Sequence, residues 1–481
     1  MKWLKGLLAL VLGLPLLILF IALFALFLEN KSTAYLNIKD HPEWKNQSWC
    51  IRHVNIIPMN QDTVLLDQDL IVEDGIITAI GPNLEANNLK VIHGGGAYLS
   101  PGLIDMHMHL WDRHELGLYL ANGVTSVRSL LGMPFHLQVK EEIESDEIMG
   151  PDFYTSSPQL SGPEDGDPLK KPVSSPEETR ALIQGYQNQG YDFIKTYNLL
   201  EKDCFDAAIA ECEKLKIPLI AHPSFKVDYS YHMQPGISSV EHTEDIFQQA
   251  LDYQYDREKL DLVIADYAQS QQALCPTLTV FFNLSEIYRL KEDFLKREQN
   301  HYINPFIEFA AGDYERHIAQ LEADSSAGDR IWKQHQFHLE IVKKLHEAGA
   351  FIICGTDAGI VGTAAGYSIH HELEFYRQCG MTNYEALRTA TWNPSKVHPQ
   401  FKDCGSIAIG MKANFILSSQ NPLEQISRLE KPIWVMQKGR KLEAKSLSEF
   451  EAKAHDRSNL LPPQCGCSSI CFGINKSGGA F

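Results

Sequence analysis

The chain opens on an uninterrupted apolar run. Residues 6–28, GLLALVLGLPLLILFIALFALFL, carry no charged or polar side chain. A run of ~20 apolar residues suffices to cross a ~30 Å hydrocarbon core as a helix. Lys2 and Lys5 precede it, and Phe27, Leu28, Glu29 and Asn30 stand where a signal peptidase would need small residues. The pattern predicts an uncleaved transmembrane signal anchor over residues 1–30, its amino terminus cytoplasmic by the positive-inside bias. The rest would then be membrane-anchored and extracytoplasmic, in the periplasm if the cell is Gram-negative. A long signal peptide cut near Ala34 is the alternative. Residues 31–48 are polar and unpatterned and read as a tether.

Short β-rich runs follow: IRHVNIIPM, TVLLDQDLIVEDG, IITAIG and KVIHGGGAYLS, with Asp74-Gly75 as a hairpin signal. They are too few to fold alone. Matching runs, CGSIAIGMKANFILSS and PIWVMQKGRKLEA, appear near the far end. Residues 49–98 and 403–445 are therefore expected to build one small β-sandwich domain from both chain ends. Residues 446–481 read as a tail.

Across 99–402 the hydrophobic period switches repeatedly. LIDMHMH, VTSVRSL, FYTSS, FIKTY, LIAHP, SVEH, ALCPTLTV and FIICGTD alternate with amphipathic runs such as PEETRALIQGYQNQG. That alternation predicts an α/β fold, a (β/α)8 TIM barrel of ~250 residues inserted in the β domain. The stretch 281–349 is too long for one crossover. Charged, aromatic and helix-prone, it is expected to add helices over the barrel mouth.

At 481 residues there is room for a barrel and a small domain, and a formal charge of −18 without a basic run argues against nucleic-acid binding. The ten cysteines show no paired CxxC spacing. Cys204, Cys212, Cys275, Cys354, Cys379 and Cys404 are expected as buried thiols. Cys465, Cys467 and Cys471 crowd the tail, where a disulfide is open in an oxidising compartment.

In PGLIDMHMHL (101–110), His107 and His109 lie two apart and on a strand share one face, as a metal pair requires. Lys195 in FIKTY, His222 in LIAHP, His242 in VEHTED and Asp357 in GTDAG each close a strand-like run. Singly each has an ordinary explanation: a hydrogen-bonded core histidine, a solvent-reaching lysine, a helix-capping aspartate. Six such residues at the carboxyl ends of strands, where barrel active sites lie, point together to a metal centre. Imidazole suits zinc, and a carboxylate offsets its charge. His370-His371-Glu372 invites comparison with HExxH, but Phe375 stands where the second histidine belongs. Glu372 is expected instead as a supporting or helix-start residue.

The ordered set HxH, Lys, His, His, Asp resembles that of the amidohydrolase superfamily, as do DGIITAIG, ANGVTSVRS, DFIKTY, GTDAG and GSIAIGMKANFIL. The resemblance runs over about residues 50–445 and is nearest to the branch of imidazolonepropionase-like enzymes and metal-dependent Xaa-Pro dipeptidases. One departure is Asn414, where the family usually has aspartate. The resemblance implies two divalent ions, zinc first among them, bridged by a carboxylated Lys195. His107, His109 and Asp357 would serve one ion, His222 and His242 the other. It implies hydrolysis of an amide, first a dipeptide of Xaa-Pro type, with Asp357 carrying the proton. Tyr197, two residues beyond Lys195, is the candidate donor to the carbonyl. A one-ion hydrolase or deaminase of a cyclic amide, using His107, His109, His222 and Asp357, is the second reading. A non-catalytic extracytoplasmic binding barrel is the third. The expected partners are a small molecule or short peptide and, through the first helix, a membrane; no nucleic acid is expected, and homo-oligomer formation stays open.

Overall fold

The computed structural model describes Phe20 and residues 28–45, 47–270, 272–305, 307 and 313–457. Strands β1 (Trp49–Ile56), β2 (Leu65–Glu73) and β3 (Ile76–Gly81) form an antiparallel meander. Asp74 and Gly75 join β2 to β3, both at positive φ (49° and 78°), the conformation whose twist matches the flanking strands. Gly75 also lies against another turn, since a Cβ there would sit 2.8 Å from the Lys438 carbonyl oxygen. Strands β4 (Lys90–His93) and β5 (Tyr98–Pro101) pair with β1 in parallel.

The next strands are β6 (Leu103–Met108), β7 (Val124–Ser129), β8 (Asp152–Thr155), β9 (Ile194–Thr196), β10 (Leu219–Ala221), β11 (Ile237–Glu241) and β12 (Ala273–Cys275). The pairings β6–β7–β8 and β9–β10–β11–β12 are all parallel. Single bridges connect these groups into a ring. Ser156 with Phe193 links β8 to β9, Leu274 with Ile352 links β12 to a last arm around 352–358, and Met108 with Ala358 returns that arm to β6. Every residue of β6 and β7 is buried, as in strands covered on both faces.

Helices α1 (His114–Ala121), α2 (Pro134–Glu144), α3 (Pro176–Gln189), α4 (Lys202–Leu215), α5 (Arg257–Gln269), α6 (Leu278–Leu290), α7 (Ala327–Glu347) and α8 (Tyr367–Gln378) alternate with these strands. The chain is an α/β protein, as the alternation predicts. Helix α3 shows how the sequence sets the boundaries. Ser175 Oγ accepts the Glu178 N–H at 3.2 Å, Pro176 occupies the first turn, and Gly190 ends the helix at φ 97°. Within the stretch expected to add helices over the mouth, α7 lies elsewhere. Its Phe337, Ile341 and Leu345 pack with Leu260, Ile264 and Tyr267 of α5, so it is the crossover between β12 and the last arm.

Strands β13 (Phe415–Ser418), β14 (Trp434–Gln437) and β15 (Arg440–Glu443) return to the first sheet. β13 pairs antiparallel with β5, Phe415 opposite Pro101 and Ser418 opposite Tyr98. One eight-stranded sheet thus holds residues from both ends, over a core that includes Ile51, Val54, Leu70, Phe415 and Trp434. Its seam with the ring is polar. Asp152, at the start of β8, receives Lys412 Nζ and Lys438 Nζ at 3.0 Å each. The Asn414 amide donates to the same carboxylate at 3.3 Å.

Three expectations are corrected. The stretch 31–48 is no tether, because Tyr35, Leu36 and Trp44 are buried beside Phe450; just before it, Glu29 Oε1 accepts from Arg113 Nη1 at 2.9 Å. Aromatic anchors, not periodicity, fix that segment. Nor does the tail begin at 446: helix α9 (Ala444–His455) buries Leu447, Phe450 and Ala454. Arg457 follows it, fully buried against Asp112 at 2.7 Å. The membrane anchor and the extracytoplasmic placement resting on it are also withdrawn. No helix among the described residues is long and apolar enough to cross a membrane. Of the apolar run 6–28, only Phe20 and Leu28 are among those residues, and Cys465, Cys467 and Cys471 lie outside them. The six cysteines expected as core thiols are free and buried.

Two measurements check this packing. Arg457→Ala removes the cation facing a buried carboxylate and should cost about 3 kcal/mol of unfolding free energy, read from urea titration. At Asp152, burial alone would raise the carboxyl, but Lys438 and Lys412 outweigh it and hold it below the ordinary value. A depressed folded-state pKa contributes stability above the unfolded value of ~4 that is lost as pH falls through the folded value. Urea midpoints should fall with pH below ~4, and less steeply in Asp152→Asn.

Candidate metal centre

Because the ring strands run parallel, their carboxyl ends share one side, where open positions for a ligand arise in α/β sheets. His107 lies within β6 and His109 just past it; Lys195 lies within β9; His222 and His242 directly follow β10 and β11; Asp357 ends the last arm. The structure gathers His107, His109 and Asp357 into one buried donor group. Asp357 Oδ1 stands 2.7 Å from His109 Nε2 and 3.3 Å from His107 Nε2. The His242 ring lies between two others, its centroid 4.6 Å from those of both His107 and His222. Asp357 Oδ2 is 3.9 Å from His242 Nδ1. Lys195 is fully buried, and its Nζ has no hydrogen-bond partner. Tyr197 stacks on His222 at 4.3 Å between centroids, and Lys170 Nζ lies 3.9 Å from the Tyr197 ring centroid.

Backbone closure places these groups. The His107 carbonyl accepts the N–H groups of Thr356 (3.1 Å) and Asp357 (2.7 Å), and the His242 N–H donates to Cys275 O at 2.8 Å. Asp357 and His242 sit at φ 56° and 70°, strained values for side-chain-bearing residues that surrounding bonds must impose. The glycines of GTDAG allow the approach. A Cβ at Gly355 would meet His107 Cβ at 2.7 Å, and one at Gly359 would meet His109 O at 2.6 Å. Asp105 adds a side-chain tie across the same seam, accepting from Thr356 Oγ1 at 2.7 Å.

A second set of charges, which the spacing of candidate ligands did not reveal, orients the first. Glu241 Oε2 accepts from His107 Nδ1 at 2.7 Å, leaving Nε2 toward Asp357. Its other oxygen accepts from Arg128 Nη2 (2.8 Å) and Ser239 Oγ (2.6 Å). Arg128 also meets His398 Nε2 at 2.7 Å. The signal was present: Arg128 and Glu241 are lone charges in apolar strands, and a charge buried there needs a partner. Thr277 Oγ1 lies 3.0 Å from His242 Nδ1. Glu372 lies within α8, and its carboxylate supports the start of α6, accepting the N–H groups of Leu278 and Thr279 at 2.9 Å each.

The electrostatics suit cation binding. Burial pushes His107 down to about 4, and burial with neighbouring positive groups pushes His222 and His242 well below the ordinary value. Such imidazoles are neutral donors at pH 7. Burial alone would raise Asp357, but His107, His109 and His242 outweigh it and hold the carboxyl below the usual range. Burial pulls Lys195 down to about 8. His109 Nδ1, His222 Nδ1 and Lys195 Nζ are buried without hydrogen-bond partners. Buried polar atoms without protein partners on residues of ligand type are the donors a cation requires, so this set fits a divalent metal.

The pattern of the amidohydrolase family matches residues 98–442. Among solved structures, the chain is similar to a Xaa-Pro dipeptidase with bound methionine in its active site, at TM-score 0.63 and 19% identity over 82% of this chain and 100% of that one. It is similar to a bottromycin amidohydrolase at TM-score 0.72 and 21% identity, over 90% and 94% of the two chains. A third likeness is to the ochratoxinase of A. niger, at TM-score 0.62 and 20% identity, over 83% and 96%. A curated dihydroorotase of Halalkalibacterium halodurans is 49% identical over 43 residues, which is 9% of this chain and 10% of that protein. The chain thus spans about a tenth of the length of the curated relatives it matches.

Glu241→Gln should weaken metal binding ~10–100-fold, as expected on losing the carboxylate that orients a ligand histidine. Competition with a chromophoric chelator measures it, and unaltered affinity would show that His107 needs no such partner.

Proposed function

Because this chain belongs to the amidohydrolase family, we propose that it is a metal-dependent hydrolase of carbon–nitrogen bonds that acts on a small amide, first a dipeptide of Xaa-Pro type, and that a carboxylated Lys195 would help to hold two divalent ions. The observation that carries the two-ion reading is the Lys195 amine, fully buried and without a hydrogen-bond partner among histidines and Asp357. A protonated amine there would be an unpaired buried charge, whereas a carbamate gives the position an anionic oxygen pair. The parallel ring is read as the (β/α)8 barrel expected from the sequence. The family's match and the complete set of donor-type residues favour this reading over a non-catalytic binding barrel.

His107, His109 and Asp357 would hold one ion, and His222 with His242 the other, with zinc the first choice for this nitrogen-rich set. Bound there, divalent ions would supply Lewis-acid polarisation of the scissile carbonyl and the attacking water. The protein's own part is proton transfer and orientation. The Asp357 carboxylate would accept the proton released by water as oxygen adds to the carbonyl carbon. It would then deliver that proton to the amide nitrogen as the carbon–nitrogen bond breaks. Tyr197 borders the same site by stacking on His222, a position from which its hydroxyl would donate to the carbonyl oxygen. The near-complete burial of His107, His109 and Asp357, at 1%, 7% and 3% exposure, supports a short substrate. Fold likeness to a Xaa-Pro dipeptidase supports the dipeptide class.

A one-ion reading, acting on a cyclic amide, has one observation in its favour. His107, His109 and Asp357 form one compact donor group, which supplies three of the four ligands that reading uses.

The test is metal counting by mass spectrometry with a panel of dipeptides and lactams. Two ions per chain and turnover of a Xaa-Pro dipeptide are expected. Lys195→Ala should lower affinity for the second ion by ~100-fold or more and remove most activity. Short carboxylic acids should restore part of it, and Lys195→Arg should not, since guanidinium offers no lone pair. One ion per chain with an active Lys195→Ala variant would establish the one-ion reading.

A further inference from the structure

We infer that Asp245, held in place by Gln249, is a positioning residue that orients His222 as Glu241 orients His107. The inference rests on the reading of His222 as a metal ligand and adds a residue to it. Asp245 is only 2% exposed. Its Oδ1 accepts from Gln249 Nε2 at 2.9 Å, and the same amide nitrogen donates to the Pro223 carbonyl at 2.9 Å. One glutamine therefore fastens the turn after β11 to the turn that carries His222. Gln249 can reach both because residues Ile246–Ala250 form a widened π-helical turn, a feature frequent at functional sites. The remaining Asp245 oxygen, Oδ2, has no hydrogen-bond partner and faces His222 Nε2 at 3.3 Å.

The consequence lies on the other side of the ring. His222 Nδ1 is buried and also without a partner. A neutral imidazole carries its proton on one nitrogen and its lone pair on the other, and the hydrogen bond to one decides which nitrogen can bind a metal. A hydrogen bond from Nε2–H to the facing Asp245 oxygen would select the tautomer whose lone pair is on Nδ1. Glu241 makes the mirror choice at His107, taking Nδ1 and leaving Nε2. Both ligand rings would then be backed by a carboxylate, through opposite nitrogens.

The separation of 3.3 Å is also that expected of two donors on one tetrahedral ion, so the experiment must distinguish an orienting carboxylate from a ligating one. Full-length wild type, His222→Ala, Asp245→Ala, Asp245→Asn and Gln249→Leu are loaded with zinc, and affinity for the weaker ion is read by chelator competition. Cobalt loading gives the visible spectrum of the same site, and thermal unfolding reports whether each variant is folded. Asp245→Ala is expected to weaken the second ion ~10–100-fold, with Gln249→Leu shifted in the same direction. Asp245→Asn, whose amide oxygen still accepts from Nε2–H, should recover most of the affinity and the cobalt spectrum. Wild-type affinity in Asp245→Ala, or in Gln249→Leu should Asp245→Ala fail to fold, overturns the inference. Asp245→Asn as deficient as Asp245→Ala overturns it too, in favour of direct ligation. Unchanged metal content in His222→Ala instead removes the two-ion reading, and this inference with it.

Discussion

The meeting of the first and last arms of the ring is the constraint on which the rest depends. The His107 carbonyl accepts two consecutive N–H groups from Thr356 and Asp357, and Met106 N–H donates to Cys354 O at 2.9 Å. These bonds hold Asp357 at a left-handed φ and bring a carboxylate within reach of two histidines some 250 residues earlier in the chain. Glycine at 355 and 359 is the steric condition for that contact, since any Cβ would collide with the histidine-bearing arm. A ring open at this seam would still have histidines, but no carboxylate among them.

Closure alone would leave a costly interior. The Arg128–Glu241 pair has no exposed side-chain surface, and taking two charges out of water costs several kcal/mol per ion before their attraction is counted. The pair is compensated by hydrogen bonds to Ser239, His398 and His107. A half-satisfied version would be worse than an apolar core. The carboxylate that makes the burial tolerable also fixes which nitrogen His107 presents, so stability and site geometry share one network.

The ends of the described chain serve the same region from outside. Asp112 and Arg113, three and four residues beyond His109, are held by Arg457 and by Glu29. Asn304 Nδ2 reaches Asp112 at 2.7 Å as well. Segments far apart in sequence therefore converge on the loop that leaves the first arm. Ion pairs this deeply buried are rigid connections, unlike exposed ones.

The sequence by itself determined the α/β alternation, the family, and the identity of the donor-type residues, because periodicity and local spacing are properties of neighbouring residues. His107 and His109 share a face through the two-residue repeat of a strand, and Asp74-Gly75 turns a hairpin through its own φ preferences. Only the tertiary structure decided what each donor meets. Glu241 faces His107 because β11 and β6 stand across the ring, and Arg128 reaches both through β7; no local period relates those three positions. The same holds for the described parts of 31–48 and 446–481, read as tether and tail. Tyr35, Trp44 and Phe450 find their burial in one another and in α1, and Arg457 finds its counter-charge in Asp112. Burial of a charge or an aromatic ring is a demand the sequence states. Which distant residue answers it depends on strand register and ring closure, and those are set only when the whole chain packs.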